Sequence, residues 1–174
     1  MFEGSRVRIR QFGPNDLELV AEWALHPEIV APYNNFGLVP LNDTARGYQN
    51  GGWIGEEYGR LLVETLEGEV VGDVSYHQTR YGPNRASAVY NIGINLLPSQ
   101  RGKGYGSEAQ KLLAEYLFRT YPIMRVEAAT DITNIPEQRS LEKAGFTREG
   151  VLRKAQWRDG DWHDLVLYSK LRGE

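Results

Sequence analysis

Residues 101 to 106 read Arg-Gly-Lys-Gly-Tyr-Gly, and glycine at every second position suits the binding of a phosphate. With no Cβ at 102, 104 and 106, the backbone N–H groups can turn into one concavity. The stretch that follows, Ser107 to Thr120, is strongly helical in character. Unpaired amides at a helix start and the positive end of the helix dipole point the same way, which makes an anion site. Arg101 and Lys103 place two positive charges at its rim. The guest these residues suit is a phosphorylated cofactor, although the same glycines also serve a plain strand-to-helix turn.

A second place where side chains could do chemistry is Asn134-x-x-Glu137. It reads as a capping box, in which the asparagine and glutamate satisfy each other's free amides. A glutamate there can also relay a proton if it faces a cleft. His77 and His163 titrate nearest neutral pH, and His163, next to Asp164, reads as a structural hydrogen-bonder. There is no cysteine, which removes thiolate metal sites and a cysteine acyl-enzyme, and no Gly-x-Ser-x-Gly motif is present.

The elements that must hold these residues can be read in order. Val7–Arg10 alternates as a strand, and Asn15 or Asp16 caps a helix whose apolar face is Leu17, Val20, Ala21 and Ala24. Residues 28 to 59 are loop-like, with a short helix from Asp43. Strands are predicted at Arg60–Thr65, Val70–Thr79 and Ala88–Leu97; their short connections make them antiparallel neighbours. After the glycine loop, Ala109, Leu112, Leu113, Tyr116 and Leu117 form an apolar stripe at helical spacing. Arg125–Thr130 is a strand, parallel to Ala88–Leu97 if the two are adjacent. Asn134 caps a helix that ends at Ala144 before Gly145. A hairpin closes the chain, with strands near Val151–Trp157 and Trp162–Leu171 around Asp159-Gly160, a type I′ signal. At 174 residues this is one α/β (α+β) domain spanning 1–174, with a mixed, mostly antiparallel sheet.

Two rivals meet the glycine loop here. A dinucleotide-binding unit has strand, glycine loop, helix and an acidic residue about 20 positions on, and Glu127 falls near that distance; the antiparallel meander ahead of the loop argues against it. A P-loop is excluded because no Gly-Lys-Ser/Thr follows a four-residue spacer. Taken together, Ile92 to Pro98, Gln100 to Gly106, and Asn134 through Leu141-Glu142-Lys143-Ala144-Gly145-Phe146 resemble the GNAT N-acetyltransferases. The loop is similar to that family's Arg/Gln-x-x-Gly-x-Gly/Ala pyrophosphate motif. The tail, Arg148 to Arg153 with Asp159 to Asp164, resembles the branch that contains the ribosomal-protein alanine acetyltransferases RimJ and RimL.

That resemblance implies about four helices around a sheet with a splayed parallel strand pair, and acetyl-CoA as co-substrate in the splay, without a metal. It implies cofactor contacts from Leu96 and Leu97 to the pantetheine arm, from Arg101, Gly102, Lys103, Gly104, Tyr105 and Gly106 to the pyrophosphate, and from Asn134 to the arm's other side. Strand-edge pairing of pantetheine amides and anion capture at a helix start are physically consistent with it. The implied activity is transfer of an acetyl group to a primary amine by direct attack in a ternary complex, where proximity supplies most of the acceleration. Acid–base positions depart from the family's pattern. Its helix tyrosine is Leu141 here, its central-strand carboxylate is Asn91, and the acid and base of the RimL branch fall at Glu137 and Gln156. Those two are the catalytic candidates. A non-catalytic CoA-binding sensor and a detoxifying small-amine or antibiotic acetyltransferase are the alternatives.

The net charge of −3 argues against general nucleic-acid binding. No apolar run approaches a membrane span and no export signal is visible, so the cytoplasm is the default and no membrane partner is expected. The expected partner is a peptide or small-molecule amine, and a homodimer is compatible with the sequence. An α-amino group with pKa of about 7.7–8.0 is roughly 10–20% neutral at pH 7, against about 0.04% for a lysine amine near 10.4. With no strong base evident, a peptide N-terminus or an amino group of an antibiotic or amino sugar is the expected acceptor. Tyr33, Phe36, Trp53, Glu56, Glu57, Trp157 and Trp162 are the aromatic and acidic residues from which its site is expected to be built.

Overall fold

The computed structural model describes residues 2–23, 26–30, 32–37, 43–49 and 53–174. Ala24 of the expected first helix and Asn50-Gly51-Gly52 of the expected loop lie outside them. The first strands, β1 (Phe2–Glu3) and β2 (Val7–Arg10), are followed by helices α1 (Asp16–Trp23), α2 (Pro27–Val30) and α3 (Asp43–Gln49). A meander of β3 (Tyr58–Thr65), β4 (Val70–Arg80) and β5 (Ala88–Leu96) leads into α4 (Tyr105–Thr120). Then come β6 (Arg125–Asp131), α5 (Ile135–Lys143) and the hairpin of β7 (Thr147–Arg158) and β8 (Asp161–Leu171).

Among the described residues, eight strands join one sheet in the order β1-β2-β3-β4-β5-β6-β8-β7. Every neighbouring pair is antiparallel except β5–β6. The parallel pair follows from the connection: α4 carries the chain back across the sheet, as a crossover between parallel strands must.

Strand alternation sorts the core into two layers. Leu61 and Val63 of β3 face a large cluster that contains Leu113 and Leu117 of α4 and Leu141 of α5, whereas Leu62 between them faces Phe12, Val20, Trp23 and Trp53. The sheet is therefore covered on both faces, with α4 and α5 on one and α1 on the other. The apolar stripe of α4 is where its spacing placed it: Ala109, Leu112, Leu113 and Leu117 are all buried.

Most strand and helix ends fall within a few residues of the sequence reading, and the largest difference is in β7. β7 begins at Thr147 and ends at Arg158, because it is the outer edge strand and its exposed residues carry no alternating apolar pattern. On α1 the buried residues are Val20 and Trp23, so the tryptophan is the larger anchor of that helix. The hairpin turn is as expected, with Asp159 at φ 51° and Gly160 at φ 82°, the two left-handed residues of a type I′ turn.

Candidate active site

β5 and β6 pair only at Tyr90–Val126 and Asn91–Glu127, while β5 remains paired with β4 as far as Leu96. Beyond residue 91 the two parallel strands part, and a cavity of about 410 Å³ occupies the gap. Ile94, Asn95 and Leu96 form one wall; Asn134, Glu137 and Ser140 of α5 form the other. Gly102, Gly104 and Gly106 close one end, and Tyr33 and Asn34 also line it.

The glycine end fits an anionic group. Gly102 (φ 78°) and Gly104 (φ 85°) are in the left-handed region, which L side chains rarely adopt. A Cβ on Gly104 would collide with the Arg6 guanidinium, and one on Gly106 would sit 3.2 Å from Ser140 Oγ and 3.4 Å from Leu96 Cδ1. Among the described residues none accepts from the N–H of Gly102, Gly104 or Gly106, and α4 starts there. The arrangement offers free amides at a helix start.

The side chains around this loop hold it in shape. Arg101 donates from Nε to the Leu96 carbonyl at 3.0 Å and from Nη2 to the Ile29 carbonyl at 2.9 Å, so it ties α2 to the end of β5. Lys103 donates to Gln100 Oε1 at 2.7 Å, and Tyr105 packs against the core. The N–H of Leu97 donates to the Val71 carbonyl at 3.0 Å. Leu96, Arg101, Gly102, Gly104, Gly106, Asn134 and Glu137 thus come together at the cavity, whereas Leu97, Lys103 and Tyr105 are not among its lining residues. Arg6, distant in sequence, donates to the Lys103 carbonyl at 3.1 Å, a support that no local pattern signals.

Asn134 is the N-cap of α5: its Oδ1 accepts from the Glu137 N–H at 3.4 Å, and its Nδ2 donates to Thr130 Oγ1 at 3.0 Å. Only half of the expected capping box forms. The Asn134 N–H donates to the Asp131 carbonyl at 2.9 Å, and the Glu137 carboxylate instead accepts from Gln110 Nε2 on α4. Burial pushes the Glu137 carboxyl up to about 7, and the Gln110 hydrogen bond offsets part of that rise.

At the other end, Arg158 on β7 and Asp131 on β6 form a buried ion pair at 2.5 Å. Burial alone would raise the Asp131 pKa; hydrogen bonds from the Thr133 hydroxyl and N–H, with Arg158, outweigh it and bring Asp131 down to about 2. Arg158 also donates to the Tyr33 carbonyl at 3.3 Å and to Gln156 Oε1 at 2.6 Å. Gln156 is therefore one residue removed from the cavity wall, attached to it through Arg158 and Tyr33. His163 bonds to the Arg158 carbonyl at 3.2 Å, a hydrogen-bonding place within the hairpin. Replacing Arg158 by methionine should cost about 3–5 kcal/mol, because it removes the cation paired with a buried carboxylate and leaves it only Thr133 and His163, whose Nδ1 is 3.1 Å away. Urea unfolding at pH 7 measures it. Because the folded Asp131 is depressed, its contribution is present above the unfolded value of about 3.9 and is lost as pH falls toward 2.

Of the expected acceptor residues, Tyr33 is at the cavity, with its hydroxyl donating to the Thr133 carbonyl at 3.3 Å. Trp53 is buried in the second core cluster. The Glu56 and Glu57 carbonyls accept from Tyr90 and from the Gln78 N–H, at the end of the sheet away from the cavity. Phe36 is exposed, and Trp157 and Trp162 form an exposed edge-to-face pair 5.5 Å apart near the hairpin tip. His77 pairs with Tyr58 and Asn91 on neighbouring strands. Among the described residues no group of His, Cys, Asp and Glu side chains could hold a metal, and no helix is long and apolar enough to cross a membrane.

A sheet split between its two parallel strands, with free amides at one end of the split, is the architecture of an acetyltransferase. The model of the acetyltransferase (GNAT) domain family matches residues 6–147, and the chain belongs to that family. It is 28% identical over 171 residues to the uncharacterized N-acetyltransferase YnaD of Bacillus subtilis, covering 97% of this chain and 95% of that one. Its fold is that of spermidine N-acetyltransferase from Vibrio cholerae, solved with CoA and spermine (TM-score 0.81, 18% identity, 97% of each chain). It is equally that of ribosomal-protein-S5-alanine acetyltransferase from Vibrio fischeri (TM-score 0.78, 21% identity, 99% of this chain and 97% of that one).

Proposed function

We propose that this protein transfers the acetyl group of acetyl-CoA to a primary amine, with the α-amino group of a peptide or protein, in the manner of RimJ and RimL, as the favoured acceptor. The observation that carries this reading is the cavity itself, which has free amides at one end and a carboxyl poised near neutral pH in its wall. Acetyl-CoA supplies an activated acyl group: the amine nitrogen bonds to the carbonyl carbon, the carbon–sulfur bond breaks, and CoA leaves as its thiolate with that electron pair. Gly102, Gly104 and Gly106 would hold the diphosphate by their N–H groups, and Leu96 and Asn134 would flank the pantetheine arm. Glu137, as carboxylate, takes the proton that the attacking amine gives up. Gln156, whose Oε1 is held by Arg158 and whose amide nitrogen has no partner among the described residues, would orient the acceptor.

The acceptor's class follows from proton chemistry. A carboxylate near 7 can receive a proton from an amine with pKa of about 8 at little cost, while a lysine amine near 10.4 carries a deficit of about 4–5 kcal/mol at pH 7. The fold neighbours include both a spermidine N-acetyltransferase and a ribosomal-protein-S5-alanine acetyltransferase, so the small-amine alternative is tested in the same assay.

Binding is checked by melting. CoA at about 100 times its Kd adds about 2.7 kcal/mol, which for a chain of this size is a rise of roughly 5–11 °C. A rise with NAD and none with CoA or acetyl-CoA overturns the donor assignment. Turnover is checked by thiol release from acetyl-CoA with peptides, aminoglycosides and polyamines as acceptors. Preference for lysine side chains or spermidine over peptide α-amines counts against the favoured acceptor, and binding with no thiol release identifies a sensor.

A further inference from the structure

Gln110 is 1% exposed, and on α4 it occupies the same buried face as Leu113, Ala114 and Leu117. An amide buried among apolar side chains is costly unless both its ends are bonded. Both partners of Gln110 lie on α5 and both line the cavity. Its Nε2 donates to Glu137 Oε1, and its Oε1 accepts from Ser140 Oγ at 3.3 Å. The Ser140 bond fixes which way the amide faces, so the N–H end is directed at the carboxylate. The second carboxylate oxygen, Glu137 Oε2, has no partner among the described residues and is not one of the buried unpartnered atoms, and the residue that carries it lines the cavity.

We propose that Gln110 is a positioning residue of the transfer site: it clamps one oxygen of Glu137 and leaves the other presented to the cavity for proton exchange with the acceptor amine. This rests on the reading of Glu137 as the base. The role suits a buried amide better than a cation, since a neutral donor orients the carboxylate and leaves it basic enough to take a proton. Most surrounding charges have other partners. Arg101 bonds the Leu96 and Ile29 carbonyls, Glu108 of α4 accepts from Ser5 and Arg6, Asp131 of β6 is paired with Arg158, and Glu142 accepts from Tyr168. Arg139 and Lys143 of α5 line the cavity, and Lys111 of α4 and Arg148 of β7 are exposed. Only burial and Gln110 act appreciably on the Glu137 titration.

The test is a carbon-13 NMR titration of the Glu137 carboxyl, assigned by its loss in Glu137→Gln, in the wild-type chain and in Gln110→Met. Methionine fills similar volume without a donor. The Glu137 midpoint should rise by about one unit or more on loss of a hydrogen bond to a charged group, and the acid limb of kcat/KM should rise with it. Gln110→Leu, which also lacks a donor, should raise the midpoint in the same way and serves if the methionine variant does not fold. A midpoint that stays in place in a folded variant overturns the role of Gln110. If the midpoint moves and the rate limb does not, the reading of Glu137 as base fails while its coupling to Gln110 stands.

Discussion

Glu137→Gln should make the protein slower and, above neutral pH, more stable. The loss of rate follows if Glu137 accepts the amine's proton: a positioned general base contributes about 10²–10⁴-fold. The kcat/KM profile of the wild-type chain should rise with pH through about 7, and the variant should lose that limb. The gain in stability is a linkage effect. Folding raises the Glu137 pKa from an ordinary carboxyl value to about 7, so the folded state holds the extra proton and loses stability as pH rises from about 4.5 to 7. Glutamine has nothing to ionise and can still accept from Gln110. Comparing urea unfolding of the two proteins at pH 5 and pH 8 should show a gap that opens with pH, on the order of 3 kcal/mol. Equal stability at both values means that the carboxyl is ordinary. Opposite signs for rate and stability identify a group kept in an unfavourable environment for its chemistry rather than for the fold.

The second large effect lies at Gly106. Leucine there should abolish donor binding and leave a folded protein. Gly106 is in the first turn of α4, and a Cβ would already sit between Ser140 Oγ, Leu96 Cδ1 and Ile94 Cδ1. Further carbons must enter the cavity that these residues line. At least ~100-fold of CoA affinity should disappear, since a lost hydrogen bond to a charged group alone accounts for about 1.5–3 kcal/mol and the side chain takes up space as well. Gly106→Ala separates binding from folding. Alanine is better than glycine in a helix by about 1 kcal/mol, and the Ser140 hydroxyl can rotate away, so the alanine protein should melt no lower than wild type. The CoA-induced melting shift should shrink with alanine and vanish with leucine. An undiminished shift in the leucine variant places the donor elsewhere.

Features set by a few neighbouring residues were legible in the sequence. The stripe of α4, the turn at Asp159-Gly160, the Asn134 cap and the glycine loop each depend on period, φ preference or a short-range bond, and each is where it was expected. Features that depend on a distant partner were not. Asn134-x-x-Glu137 reads as a reciprocal pair, but the glutamate is drawn to Gln110, 27 positions earlier. Lys103 reads as a rim charge, yet it donates to Gln100, which itself holds Glu69 across the loop at 2.6 Å. Trp53 reads as one of the aromatics available to an acceptor site and is buried against Phe12, in an edge-to-face contact at 4.7 Å. Gln110 carried a signal that can be recognised: a polar residue at a core position of an apolar stripe requires partners, and those partners are at the site.

The break in pairing after Asn91 and Glu127 also bears on how the molecule avoids sticking to itself. Two strands that stop bonding to each other create an edge inside the sheet, and an unpaired edge is a template for any extended chain. Here that edge is roofed by α5 on one side and bridged on the other by Asn34, whose amide donates to the Ile94 carbonyl at 3.4 Å. The edge strand β7 carries Arg148, Arg153 and Lys154 and is irregular between Leu152 and Gln156. Charge and a broken register guard the outside, while the inner edge, hidden from other chains, stays available to a ligand with peptide-like amides.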